Sequence, residues 1–180
     1  MRGVFTIITD LGSRVSGGCF VGLLTASLFF SACGSPEPDS SESTDVSDEI
    51  PFRVDGHLQF IREGEILAEL EIEIAETDSA RTRGMMQRNE LPTSRGMLFI
   101  FDSEEDRLFW MANTPLSLDL IFVGADSTII RTAKYMTPLS PQDVPSMGPA
   151  QFVLELIAGS VDTLGLIEGD QLAWTRVSGD

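Results

Sequence analysis

The 180-residue chain contains one histidine, two cysteines and one lysine, Lys134. A single histidine is too few for a histidine-rich metal site or a Ser-His-Asp triad, and two cysteines cannot complete a zinc site. A Gly-x-Ser-x-Gly elbow, a phosphate-cradling Gly-Lys-Ser/Thr loop and a dinucleotide fingerprint are missing too, so no motif argues for an enzyme and no cofactor is expected. Bases are scarce: 12 stand against 28 acids, a net charge of -16 that repels phosphate backbones and anionic headgroups. Nucleic acid is therefore not an expected partner. What the chain does have is 42% hydrophobic residues on the length of one ordinary domain, enough for a single sizeable core.

The first 32 residues read as a signal peptide. Arg2 and Arg14 precede the uncharged stretch Cys19–Ala32, which is shorter than the roughly 20 apolar residues a membrane-spanning helix needs and ends in small residues. Ser31-Ala32-Cys33 resembles the lipobox of bacterial lipoproteins, with Phe30 in place of the usual Leu. On that reading Cys33 is lipidated and becomes the mature N-terminus, and Cys19 leaves with the signal, so no disulfide is expected. Each buried CH₂ contributes ~0.8 kcal/mol, so a multiply acylated cysteine anchors the protein to a membrane outside the cytoplasm. Residues 33–50 carry six acids and no base and read as a disordered tether. Beyond them, residues 51–180 hold 21 acids and 10 bases, a net charge near -11 on the expected single domain. Such an acidic excess with one lysine suits a salt-adapted organism, because at 1 M salt the Debye length falls to ~3 Å and self-repulsion is blunted.

Residues 51–180 are expected to be mainly β. His57–Arg62 and Glu65–Ala75 alternate apolar and polar residues across Glu63-Gly64, the pattern of a hairpin. Glu69, Glu71 and Glu73 share one face of the second strand and are expected to be solvated rather than to hold calcium. Thr77-Asp78 offers cap oxygens to a helix over Ser79–Glu90, with Gly84 as a weak point inside it. Further apolar runs follow at Met97–Phe101, Arg107–Met111, Leu116–Val123, Thr128–Lys134, Ala150–Ile157 and Gln171–Val177, with a proline-rich loop over Met136–Pro149. A second short helix is expected at Ser160–Leu164. Eight strands and two short helices predict a small β-barrel or sandwich, in which Asp170 serves a tight turn.

Several of these segments carry specific motifs. Arg83-Gly84-Met85-Met86 with Arg88, Leu91-Pro92, Gly96-Met97-Leu98-Phe99, Phe109-Trp110-Met111 with Asn113-Thr114, Leu118-Asp119 and Gly169-Asp170 occur in the order found in a bacterial and archaeal family, domain of unknown function 192. The chain resembles that family from about Leu58 to Leu172. The resemblance implies a small, mostly β fold and, in many members, a secretion signal, with no agreed activity. Many relatives have a Cys pair and a Tyr in the loop corresponding to Met136–Pro149; this chain has neither there, which puts a redox role in doubt.

Two carboxylates stand out because their strands are apolar on both faces: Asp119 in LDLIFV and Glu155 in FVLELI. A buried carboxylate needs a partner, and the guanidiniums of Arg83 and Arg88 are the expected ones. In the structural reading these residues hold the helix on the sheet. In the functional reading Arg83, Arg88, Trp110, Asn113, Asp119 and Glu155 surround a pocket for a small polar or carbohydrate-like ligand, or contribute to binding an envelope protein. A third reading pairs Asp119 with Glu155 as the two carboxylates of a hydrolase, provided they meet across a cleft. The lone His57, near the start of the first strand, is expected to be exposed rather than catalytic.

Overall fold

The computed structural model describes residues 50–177; the expected signal peptide, Cys33 and the tether up to Glu49 lie outside them. The elements run β1 (Gly56–Arg62), β2 (Glu65–Ala75), α1 (Asp78–Arg83), β3 (Arg95–Phe109), β4 (Leu118–Val123), β5 (Ile129–Met136), β6 (Val144–Ile157), α2 (Ser160–Leu164) and β7 (Gln171–Arg176). All seven strands belong to one sheet in the order β5-β4-β6-β3-β2-β1-β7, antiparallel except for the β2–β3 pair. The fold is mainly β, as expected. The sheet rolls but does not close: its two edge strands approach only near the Thr128–Gln171 bridge, where Ile129 N–H donates to the Asp170 carbonyl at 2.8 Å.

Seven strands stand where eight were expected, because Met97–Phe101 and Arg107–Phe109 belong to one long strand. Its middle, Asp102–Asp106, is exposed, and β3 stays paired with β6 through two shifts of register. Those shifts let Pro145 and Pro149 lie opposite Leu108 and Asp106, so β6 begins at Val144, inside the segment expected to be loop. A sequence window cannot reveal a partner strand some 40 residues away, which is what converts this proline-containing stretch into β structure.

The first helix is shorter than expected. Thr77 Oγ1 accepts the Ala80 N–H at 3.2 Å as the N-cap, but the helix stops at Arg83 because Gly84 adopts φ 49°, ψ -132°. A Cβ there would lie 3.1 Å from Phe99 Cζ, so the chain approaches the sheet more closely than a side chain allows. Turns then carry Met85 inward. Gly96 is a second close approach: a Cβ on it would stand 2.6 Å from Leu156 Cδ2.

Alternation along the strands produces two apolar layers. Leu58, Phe60, Ile72, Leu98, Ile121 and Leu154 line one face and are covered by Val161 of α2. Met97, Phe99, Leu118, Leu120, Phe122 and Val153 line the other, covered by Met85, Leu91 and Met111 from the segments on either side of β3. Both faces of β4 are thus buried, and every residue of that strand is sequestered from water.

Candidate functional site: an unpartnered carboxyl under the Trp110 turn

The strand register decides where each acid points. Glu73 pairs with Met97, Met97 with Glu155 and Glu155 with Leu120, so these four side chains form one rung across β2, β3, β6 and β4 on the second apolar face. Asp119 pairs with Leu156 and projects from the opposite face. The two carboxylates therefore do not meet across a cleft, and the arrangement required for a two-carboxylate hydrolase is not formed. A one-residue offset along a strand is sufficient to separate them.

Asp119 is fully buried and fully engaged. Its Oδ1 accepts the Tyr135 N–H at 2.8 Å, and its Oδ2 accepts those of Gly159 at 2.9 Å and Val161 at 3.0 Å. Backbone amides, not arginines, are its partners, which corrects the expected pairing. The three bonds tie the irregular end of β5, where Tyr135 has φ 55°, to the entry into α2. Asp170 plays a comparable part: it accepts the Ile167 N–H at 2.9 Å within the expected turn and pairs with Arg62 at 2.6 and 2.8 Å. The Arg62 guanidinium holds the Asp170 carboxyl below the ordinary carboxylate range.

Arg88 is also buried, but it donates to Glu73 Oε2 at 2.7 Å rather than to Asp119 or Glu155. Glu73 takes the Arg53 N–H at 3.3 Å as well. The expectation that Glu73 is solvated with Glu69 and Glu71 fails because β3 and the 84–91 turns cover the far end of β2. Glu69 and Glu71 lie at its open end, bonded to Gln59 and Arg95. No cluster of three or more His, Cys, Asp or Glu residues capable of holding a metal occurs among the described residues.

Glu155 is 5% exposed and its Oε2 has no hydrogen-bond partner among the described residues. No arginine or lysine nitrogen lies within 4.0 Å of it among the described residues. Burial pushes its carboxyl up from 4.5 to about 8, against the opposing charge of Arg88, so at neutral pH it is largely an uncharged acid. Arg88 Nε, on the same side of the sheet, is the other buried side-chain polar atom without a partner among the described residues. An unsatisfied buried polar atom typically costs ~1–3 kcal/mol, so two on one side of a small sheet call for a physical account.

That account starts from the space beside Glu155. A cavity of about 30 Å³ is lined by Glu155, Phe99, Phe109, Met85, Thr114 and Gly84, with Arg83 and Trp110 at its edge. The Gly84 backbone makes room: a Cβ there would stand 3.6 Å from Glu155 Oε2. Phe109 packs edge-on against Phe99, with centroids 5.1 Å apart, and against Phe122 at 5.9 Å, which fixes one wall. Trp110 is 53% exposed and Arg83 is exposed with no ion pair among the described residues. The neighbouring Arg81 is committed to the Glu76 and Ile100 carbonyls and to Asp78.

Of the residues singled out in the sequence, Arg83, Trp110 and Glu155 thus converge on one mouth. Asn113 does not line it: it is exposed at φ 57°, and its carbonyl accepts the Gln87 N–H at 2.8 Å, bracing the turn. Asp119 lies on the other face and Arg88 is bound to Glu73. Phe99, Thr114 and Gly84 are among the other lining residues; all three fall in motifs visible in the sequence, but only packing assigns them a place here.

The sequence profile of the family DUF192, described as "Uncharacterized ACR", matches residues 59–174. No curated protein matches the chain. Two solved structures are similar. One, from Sinorhizobium meliloti 1021 and provisionally described as a transcription regulator, is 34% identical with a TM-score of 0.65, covering 70% of this chain and 97% of that one. The other, a protein of unknown function from Novosphingobium aromaticivorans DSM 12444, is 31% identical with a TM-score of 0.63, covering 66% and 84%. The profile match spans well over half of the sequence, and it extends from β1 to β7 through every residue of the mouth: this chain belongs to the domain of unknown function 192 family.

Proposed function

We propose that this protein is a lipid-anchored envelope protein whose β domain binds a small polar ligand at the mouth over Glu155. The observation that carries the binding reading is a buried Glu155 carboxyl, its Oε2 without a partner among the described residues, lining a cavity that an exposed Trp and an exposed Arg also line. A purely structural carboxyl would be satisfied as Asp119 is. Small polar ligands are recognised by such an arrangement: mostly apolar walls and one or two aimed polar atoms. The charge-free stretch ending in Ser31-Ala32-Cys33 supports anchoring outside the cytoplasm, with an acidic tether between lipid and domain. No described helix is long and apolar enough to cross a membrane.

The regulator description of one similar structure is not carried over, since a domain with a net charge near -11 repels phosphate. An envelope protein is a second reading for the same region, favoured by the exposed apolar side chains Leu108 and Trp110 at the end of β3. Two measurements test the proposal. Mass analysis of the mature N-terminus is expected to find acyl chains on Cys33; an unmodified terminus elsewhere removes the anchor. Glu155→Leu is expected to keep the fold while abolishing ligand-induced shifts in thermal unfolding, and retained shifts in that variant remove the site. Salt adaptation is tested separately by an unfolding midpoint that rises between dilute buffer and molar salt.

A further inference from the structure

The dimensions of the mouth restrict what can reach its base. A cavity of about 30 Å³ admits one water-sized group, so a ligand presents a single heavy-atom substituent to the Glu155 carboxyl and leaves the rest of itself outside, beside Trp110. The substituent is an ammonium, an anionic oxygen or an uncharged hydroxyl. An ammonium would enter a cavity that Arg81 and Arg83 line, with the other buried acid on this face, Glu73, already occupied by Arg88. An anionic oxygen would give up its hydration against Phe99, Phe109 and Met85, with the exposed Arg83 as the one lining cation not already bonded among the described residues. A hydroxyl carries no charge to desolvate and both donates and accepts, which suits an oxygen lacking any partner.

We infer that the substituent is a hydroxyl of a neutral carbohydrate, bonded to the Glu155 carboxyl while the sugar ring lies against Trp110 and Arg83 reaches its outer hydroxyls. Apolar sugar faces pack on aromatic rings, and the half-exposed Trp110 is the ring available at this edge. Burial keeps the Glu155 acid protonated at neutral pH, so it has a proton to donate to the entering oxygen. This inference rests on the reading of the Glu155 mouth as the binding site.

The test is ligand-observed NMR titration of the full chain in detergent. The probes are methyl glycosides of glucose, galactose, mannose and N-acetylglucosamine, with ethylammonium and acetate as the charged controls. The expected result is saturable binding of at least one neutral glycoside, weakened tenfold or more by both Glu155→Leu and Trp110→Ala and several-fold by Arg83→Ala, and no saturable binding of either ion. Trp110 and Arg83 are exposed, so their variants keep the test open even where Glu155→Leu does not fold. Binding of ethylammonium or acetate at this mouth, with the glycosides silent, overturns the hydroxyl inference but leaves the site. Glycoside binding indifferent to the variants, or a mouth that takes none of the probes and holds only water, overturns both.

Discussion

Asp119 and Glu155 sit on adjacent, hydrogen-bonded strands in equally oily sequences, yet the fold treats them in opposite ways. Asp119 receives three backbone N–H groups, whereas Glu155 Oε2 receives none. The difference is one of neighbouring backbone. The face that Asp119 points to carries the start of α2 and a bulged end of β5, both with amides left over from regular pairing. The face that Glu155 points to carries phenylalanine and methionine side chains, and among the described residues no amide reaches its Oε2. A satisfied buried acid organises structure; an unsatisfied one costs stability unless something else supplies its partner.

Mutations at the two acids break this comparison most directly. Asp119→Ala leaves three amides without an acceptor and is expected to lower stability by about 3–5 kcal/mol in urea unfolding. A variant as stable as the parent would mean that water or rearranged backbone replaces the carboxylate without cost, and the contrast with Glu155 would dissolve. Arg88→Leu leaves the buried Glu73 with only the exposed Arg53 as a charged partner and is expected to cost about 3 kcal/mol, most of it recovered when Glu73→Leu is added. Equal losses in the single and double variants would show that the pair contributes through packing rather than charge.

Glu155→Leu sharpens the contrast from the other side. Replacing an unpartnered acid by an apolar side chain of similar size is expected to leave stability at pH 7 within ~1 kcal/mol of the parent or above it. Its pH profile is the cleaner readout. The folded protein keeps the Glu155 proton up to about 8 while the unfolded chain releases it near 4.5, so between these values the native state binds the extra proton. Stability from this group is complete below 4.5, falls as pH rises through the window and is lost above about 8. The variant is expected to lack that decline, and equal slopes in the two proteins would contradict a buried, neutral acid. The smallest effect belongs to the surface. Asp162 accepts from Lys134 at 2.6 Å and Tyr135 at 2.7 Å, and the lysine chiefly lowers its pKa. Any stabilisation there is present above the ordinary carboxylate range and fades as pH falls. In water such contacts are screened, and Asp162→Asn is expected to leave the unfolding midpoint at neutral pH unresolved from the parent.

Much of the fold was legible because the signals are local. Alternation marked β1 and β2, Thr77 marked the helix start, and the Gly-Asp turn located Asp170. The errors arose where distant partners intervene: β6 recruits Val144–Pro149, β3 continues through an exposed stretch, and Phe99 brings Gly84 too close for the helix to go on. The candidate residues divide the same way. Burial of Asp119 and Glu155 could be read from their oily flanks. Their partners could not: of the two arginines expected, Arg88 is spent on Glu73, an acid that alternation alone assigns to solvent, and Arg83 is exposed.

The amino-acid sequence by itself determined a single mainly β domain with two short helices, its acidic charge and the presence of two buried carboxyls, because periodicity and composition act over a few neighbouring residues. Which way those carboxyls point was decided only by the tertiary structure. Facing depends on register between strands some 35 residues apart, and a shift of one position reverses every side chain. The same long-range pairing placed spare amides around Asp119 and left Glu155 among aromatic rings, so that two acids alike in sequence became a latch and a buried acid with an oxygen left unpartnered among the described residues.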